Sequence, residues 1–240
     1  MSTAFVTGAG IRVGRAIALA LADAGYDLVL HANASLQALE EVAAEARRRG
    51  RTVDLRTADL SDGAAVDRLA ADVRAAHPAL DLVVHNAGLF ERAPFGTIDR
   101  ARYRRMQAVN LDAPFFLTQG LLPALRAAAA PCVIHVTDIA ADRPYEGYAH
   151  YSVSKAGLAM LTRALAVELA PHVRVNAVAP GTVAFPPDFD AAARAAVLAR
   201  VPLRREGDPE DVARAVVFLA QQPYLTGQVI DVDGGRSVVL

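Results

Sequence analysis

The sequence has almost no cysteine and almost no lysine. Cys132 is the only thiol among 240 residues, so no internal disulfide can form and a reducing, cytoplasmic setting is expected. Excess charge of either sign is also missing. With 25 basic and 26 acidic residues the formal net charge is -1, and bulk electrostatics gives no reason to expect nucleic acid or an anionic membrane as partner. No apolar run approaches about 20 uninterrupted residues, which argues against a membrane span. Met1 leads straight into an apolar strand-like run, without a basic leader or a cleavable apolar segment. A metal site is not expected either. Cys132 and His135, three apart on a strand pattern, point to opposite faces, and the other histidines lack ligand spacing.

What is present reads as one globular domain over residues 1–240, with 53% hydrophobic and 21% charged residues. Short β-rich runs fall at Ala4–Thr7, Asp27–His31, Thr52–Arg56, Leu80–His85, Cys132–Thr137, Val173–Val178 and Gln228–Val232. Alanine-rich helical patterns lie between them, near 13–25, 35–49, 62–76, 98–109, 111–129, 151–170 and 208–221. Most strands are apolar throughout rather than alternating, as parallel strands buried on both faces should be. The alternation predicts a doubly wound α/β fold with a parallel sheet. Residues 180–207 interrupt it, carrying Pro180, Pro186, Pro187 and Pro202 and a short helical pattern near 190–200. So long a connection after the sixth strand, where open sheets bind ligands, reads as a substrate-covering loop, with a disordered insert as the alternative.

The first strand ends in Thr7-Gly8-Ala9-Gly10-Ile11-Arg12-Val13-Gly14, and a helix follows at once. Glycines there permit a tight turn and let backbone N–H groups approach a pyrophosphate at the helix N-terminus. Val13 stands where a third glycine of the usual dinucleotide fingerprint would be. At the end of the second strand, Leu30-His31-Ala32-Asn33-Ala34-Ser35 offers no acid before Glu40. A carboxylate there would repel a 2′-phosphate. Its absence, with Arg12 and Ser35 in reach, favours NADP(H) over NAD. Asp59-Leu60 reads either as a contact to the adenine edge or as an ordinary helix N-cap region. Asn86-Ala87-Gly88 after the fourth strand offers a floor of small residues for the cofactor.

Of the 25 basic residues, 24 are arginine and one is lysine. That lysine, Lys155, lies four residues after Tyr151, so the two share a helix face. With six tyrosines in 240 residues, chance places the lone lysine there roughly once in forty. Arginine is no substitute for a compact ammonium. At about 5 Å and an effective dielectric near 20, an ammonium stabilises the phenolate by about 3 kcal/mol, or roughly two pKa units. The phenol is thereby expected to work near neutrality as a proton donor or acceptor. Asp138 ends the fifth strand, Asn110 lies between two helical stretches where a backbone carbonyl can anchor a water behind Lys155, and Phe90 follows the small-residue floor. Phe90 reads as stacking on a flat substrate or as core packing.

Thr-Gly-x-x-x-x-x-Gly, Asn86-Ala87-Gly88, Asn110, Tyr151-x-x-x-Lys155, Pro180-Gly181 and Val232-Asp233-Gly234-Gly235 together resemble the short-chain dehydrogenase/reductase family over essentially the whole chain. The resemblance implies a Rossmann-like sheet of seven strands, usually in homotetramers. It implies a proton relay of Asn110, Tyr151 and Lys155, and Pro180 and Gly181 beside the cofactor. The family commonly has glycine at Arg12 and serine at Asp138. Arginine and aspartate there are similar to pteridine reductases and bacterial dihydromonapterin reductases, as is the Leu-His…Ser cofactor segment with His31 and Ser35. In that group Phe90 matches the aromatic that sandwiches a pterin, and Arg12 the residue contacting both phosphate and pterin. Ala34 departs from the group's usual arginine, and Gly88 from its frequent serine. The resemblance therefore implies NADPH-dependent reduction of a dihydropterin, with Asp138 acting protonated because a carboxylate would raise the pKa of Tyr151. A carbonyl or 3-oxoacyl reductase, or a noncatalytic NADP-binding protein, stand as alternatives.

Overall fold

The computed structural model describes residues 2–185 and 190–239; Pro186 and Pro187 of the long connection lie outside them. Strands β1 (Thr3–Thr7), β2 (Asp27–Ala32), β3 (Val53–Thr57), β4 (Leu82–His85), β5 (Cys132–Val136), β6 (Arg174–Pro180) and β7 (Val229–Val232) form one parallel sheet. Their spatial order is β3-β2-β1-β4-β5-β6-β7. This is the doubly wound, Rossmann-like, seven-stranded sheet expected from the sequence, in a single domain. The chain runs outward from β1 to β3, then returns to place β4 beside β1. The crevice above those two strands is therefore the switch point at which such sheets take ligands.

Alternation along the strands feeds two cores. Val6, Leu28, Leu30, Val84 and Ile134 face α1 (Arg12–Asp23), α2 (Leu36–Arg48) and α8 (Pro209–Gln221). Phe5, Val29, Val83, Val133 and Val175 face α3 (Gly63–Ala76), α5 (Ala113–Arg126) and α6 (Ala149–Glu168). Because both faces are covered, β1, β4 and β5 hold few polar side chains, and two of them are histidines that lie buried under the helices. His85 and His135 stack at 5.3 Å and bond Thr118 and Thr162, each at 2.9 Å. Cys132 faces the opposite core, and burial pushes its thiol up to about 11.

The two helical patterns read near 98–109 and 111–129 are continuous. α4 (Arg100–Gln107) passes through a π-helical turn, Ala108–Asp112, directly into α5. π-turns are often found at functional sites, and Asn110 sits in the middle of this one. The long connection after β6 has structure of its own among its described residues. Val183 pairs with Gly207 as an isolated parallel bridge, and α7 (Ala191–Leu198) occupies its middle. No helix of the described residues is long and apolar enough to cross a membrane.

Candidate active site

A cleft of about 850 Å³ opens at the carboxyl ends of the strands, over β1 and β4. Its walls bring together Gly8, Arg12, Val13, Gly14, His31, Ser35, Asp59, Leu60, Asn86, Ala87, Gly88, Phe90, Asp138, Tyr151, Lys155, Pro180 and Gly181, residues far apart in the chain. Asn110 stands just behind, buried.

The glycine turn is a close-fitting cradle. A Cβ on Gly14 would stand 2.0 Å from the Gly8 carbonyl oxygen and 2.5 Å from Asn86 Nδ2, and Gly8 itself has φ +66. Asn86 Nδ2 donates to the carbonyls of Thr7 (3.1 Å) and Gly8 (3.0 Å), while Thr7 Oγ1 accepts from the N–H groups of Asn86 and Ala87, each at 3.1 Å. Thr7, which opens the motif without having been singled out as a site residue, thus locks the floor to the turn. Arg12 adopts φ 49, a left-handed conformation costing an L-residue about 1–2 kcal/mol. A glycine would pay nothing there, so the arginine is held for its side chain. That side chain donates across the cleft to the carbonyl of Ala184 in the long connection.

His31 is buried; its Nε2 meets the Ala58 carbonyl at 3.0 Å, and its Nδ1 has no partner among the described residues. Ser35 precedes α2 without capping it by its side chain. Asp59 is neither an N-cap nor free. Its Oδ1 accepts from the N–H and hydroxyl of Ser61, both at 2.8 Å, and these bonds hold its carboxyl below its ordinary value. Asp62 caps α3 instead, accepting from the N–H of Ala64 at 3.0 Å. A bare-backbone cradle at a helix start, an unpartnered buried imidazole nitrogen and a long cleft fit a dinucleotide. Gly8, Arg12, Val13 and Gly14 would hold its pyrophosphate, and the floor with Tyr151 and Lys155 its nicotinamide end.

At that end the structure corrects the expected electrostatics. Lys155 Nζ donates to the Val136 carbonyl at 2.8 Å and lies 5.8 Å from the centroid of the Tyr151 ring. Tyr151 is not drawn toward neutrality. Burial and then Asp138 push its hydroxyl well above the usual phenol value, while burial brings the Lys155 ammonium down to about 8. Spacing put both side chains on one face, but both are only 5% exposed, and at that depth desolvation outweighs the attraction. The Tyr151 hydroxyl donates instead to Asp138 Oδ2 at 2.7 Å. Asp138 Oδ1 accepts from the Ala140 N–H at 2.7 Å and the Tyr145 hydroxyl at 3.1 Å. Burial lifts Asp138 above its ordinary value despite these donors.

Asn110 is fixed in place by its side chain. Oδ1 accepts from the Leu89 N–H at 2.8 Å, and Nδ2 donates to the Leu89 carbonyl and Ser154 Oγ, each at 3.0 Å. A Cβ on Gly88 would approach Asn110 Oδ1 at 3.3 Å and Lys155 Nζ at 3.6 Å, so the glycine leaves that corner open. Phe90 stacks on Tyr148 at 4.4 Å and meets Tyr151 edge-on at 4.8 Å. Tyr145 and Tyr148 were missed as site residues. Their signal was in the sequence: three of the six tyrosines stand three apart at 145, 148 and 151.

An alkaline loss of rate follows. Below about 8 Lys155 carries its charge, and above it the charge goes. The ionisation of Asp138, raised from its ordinary value, removes a proton in the same direction. Reduction is expected to show kcat/KM falling as pH rises through about 8. Initial rates level from about pH 7 to about 9.5 would contradict it.

A dinucleotide cradle leading to a buried tyrosine, lysine and carboxyl defines an oxidoreductase. The chain belongs to the short-chain dehydrogenase/reductase family. The family described as enoyl-(acyl carrier protein) reductase matches over residues 8–237. A 3-oxoacyl-(acyl-carrier-protein) reductase of Aggregatibacter actinomycetemcomitans is 37% identical over 238 residues, covering 97% of this chain and 98% of the relative. Among solved structures, a double mutant of a short-chain dehydrogenase/reductase from Serratia marcescens superposes with a TM-score of 0.90 at 32% identity, covering 98% of each chain. Acetoin dehydrogenase from Enterobacter cloacae gives 0.91 at 27% identity, covering 100% of this chain and 96% of that one. The family uses nicotinamide cofactors, which when bound supply or remove a hydride.

Proposed function

We propose that the protein is an NADP(H)-dependent reductase in which Asp138 and Tyr151 together deliver the proton, with a dihydropterin as substrate. One observation carries this reading: a 2.7 Å hydrogen bond from the Tyr151 hydroxyl to a carboxyl that burial keeps inclined to hold a proton. Reducing a ring C=N bond places hydride on carbon and a proton on nitrogen, and a protonated carboxyl suits that nitrogen better than an alcohol would. Phe90, on the cleft wall and 45% exposed, offers a face on which a flat ring can stack. Lys155, held on the Val136 carbonyl, would position the nicotinamide ribose. The absence of an acid from Ala32 to Ser35 supports NADP(H) over NAD.

A second reading is reduction of a 3-oxoacyl or other carbonyl group. The names of the relatives support it more than they support a pterin, and Tyr151 with Lys155 would serve it equally. Exposed Phe115, Phe116 and Met160 on α5 and α6 support the expected self-association into a homotetramer.

Following NADPH oxidation with dihydropterins, a 3-oxoacyl thioester and simple ketones separates the readings. The first expects kcat/KM on a dihydropterin at least about tenfold above any ketone. Turnover of the thioester alone would establish the second, and cofactor binding without turnover would leave a noncatalytic binder.

A further inference from the structure

The cleft is flanked by positive charge that a neutral ring and its proton donors do not call for. Arg236 follows β7 and two glycines at positive φ, 64 and 86. Its guanidinium carbon lies 4.8 Å from the centroid of Tyr145, and its Nη1 donates to Thr182 Oγ1 at 2.8 Å. Tyr145 in turn bonds Asp138, so a half-buried cation is fixed one tyrosine ring away from the proton-donating carboxyl. The tail behind it is pinned. Arg143 Nε donates to the Ser237 carbonyl at 3.0 Å, and Asp233 accepts from the N–H groups of Gly235 (2.8 Å) and Ser237 (2.6 Å).

A second cation approaches from the long connection. Arg200, two residues past α7, lines the same cleft, and its guanidinium makes no hydrogen bond or ion pair among the described residues. The N–H of Leu203 donates to the Gly234 carbonyl at 3.1 Å, joining the segment that carries Arg200 to the one that carries Arg236. Neither arginine has a carboxylate partner among the described residues, although Glu146 and Asp138 share the cleft wall. A guanidinium presents five donors in a fixed fork matched to carboxylates and phosphates. Arg236 uses one of them on Thr182.

We infer that the substrate carries an oxyanion, a carboxylate or a phosphate, held by Arg236 with Arg200 as a second donor from the cleft wall. The inference rests on the reductase reading above and narrows its substrate class. Arg236 sits beside Thr182 and Tyr145, at the β6–β7 end of the cleft. A 2′-phosphate would lie at the β2 end, so the two anion sites are separate.

Matched substrate pairs test it. One pair is a dihydropterin with a glutamate tail against the same ring with a neutral hydroxyalkyl chain; the other is a 3-oxo acid against its methyl ester. The anionic member of the pair that is turned over should have a KM lower by roughly tenfold to a hundredfold. The gap should shrink at about 0.5 M salt, a measurement that needs no variant. Arg200→Gln and Arg236→Gln should each raise KM for the anionic member at least about tenfold more than for the neutral one. Equal KM within each pair overturns the inference and leaves the reductase reading standing. It is also overturned if Arg236→Gln lowers kcat on both members alike, which would make Arg236 a positioning residue for Tyr145. A rise in KM for NADPH in place of the substrate does the same. If no pair is reduced at all, the reductase reading fails first and takes this inference with it.

Discussion

Replacing Tyr151 with phenylalanine should lower kcat by roughly a hundredfold to ten-thousandfold, the contribution of a positioned proton donor. The hydroxyl is the only part of the side chain that faces the chemistry. It donates to Asp138 Oδ2 at 2.7 Å, while the ring packs with Met106 and Ala140 and stays in place in the variant. Loss of one hydrogen bond to an ionisable partner costs about 1–3 kcal/mol, which in a chain of this size lowers the melting temperature by about 2–12 °C. Cofactor affinity should change little, because the glycine cradle and Lys155 are untouched. Single-turnover rates, a thermal melt and an NADPH titration on the one variant read these separately. A variant that binds NADPH, melts near the parent and keeps more than about a tenth of its rate would remove Tyr151 from the proton path.

How far the site was legible in the sequence depends on whether each feature is local. The glycine turn and the strand ends were readable because they depend on neighbours a few residues away. So was the shared face of Tyr151 and Lys155, which a helix fixes at a spacing of four. The sign of their coupling was not readable. Spacing gives direction but not depth, and it is depth that raises Tyr151 and lowers Lys155. Asp59 was left open between two readings; it lines the cleft, and Asp62 rather than Asp59 caps α3, while Ser61, two residues on, holds one oxygen of its carboxyl. α4 and α5 looked like two helices because Asn110 interrupts the apolar period; the π-turn absorbs that residue and carries the chain straight on. Arg236 and Tyr145 meet only because β7 returns the end of the chain to the edge of β6. No window of sequence contains that contact.

Asp138→Ser should separate the two substrate readings. Serine keeps a hydroxyl beside Tyr151 and can still polarise a carbonyl oxygen, but it has no acidic proton to give to a ring nitrogen. It also removes a carboxyl that, whenever it ionises, raises Tyr151 further, leaving burial as the main cause of that phenol's upward shift. Reduction of a ring C=N bond should therefore fall by roughly a hundredfold or more, while ketone reduction falls by less than about tenfold or rises. The local turn is at risk as well, since Asp138 also accepts from the N–H of Ala140 and the hydroxyl of Tyr145. Asp138→Asn serves as the control, because its amide keeps an oxygen for Ala140 and holds the shape of the carboxyl without its acidity. If both variants lose the C=N activity selectively and keep their melting temperatures, the carboxyl proton is the reason. Equal losses on both substrate types would leave Asp138 as a brace for Tyr151 and return the enzyme to the carbonyl reading that its relatives' names favour.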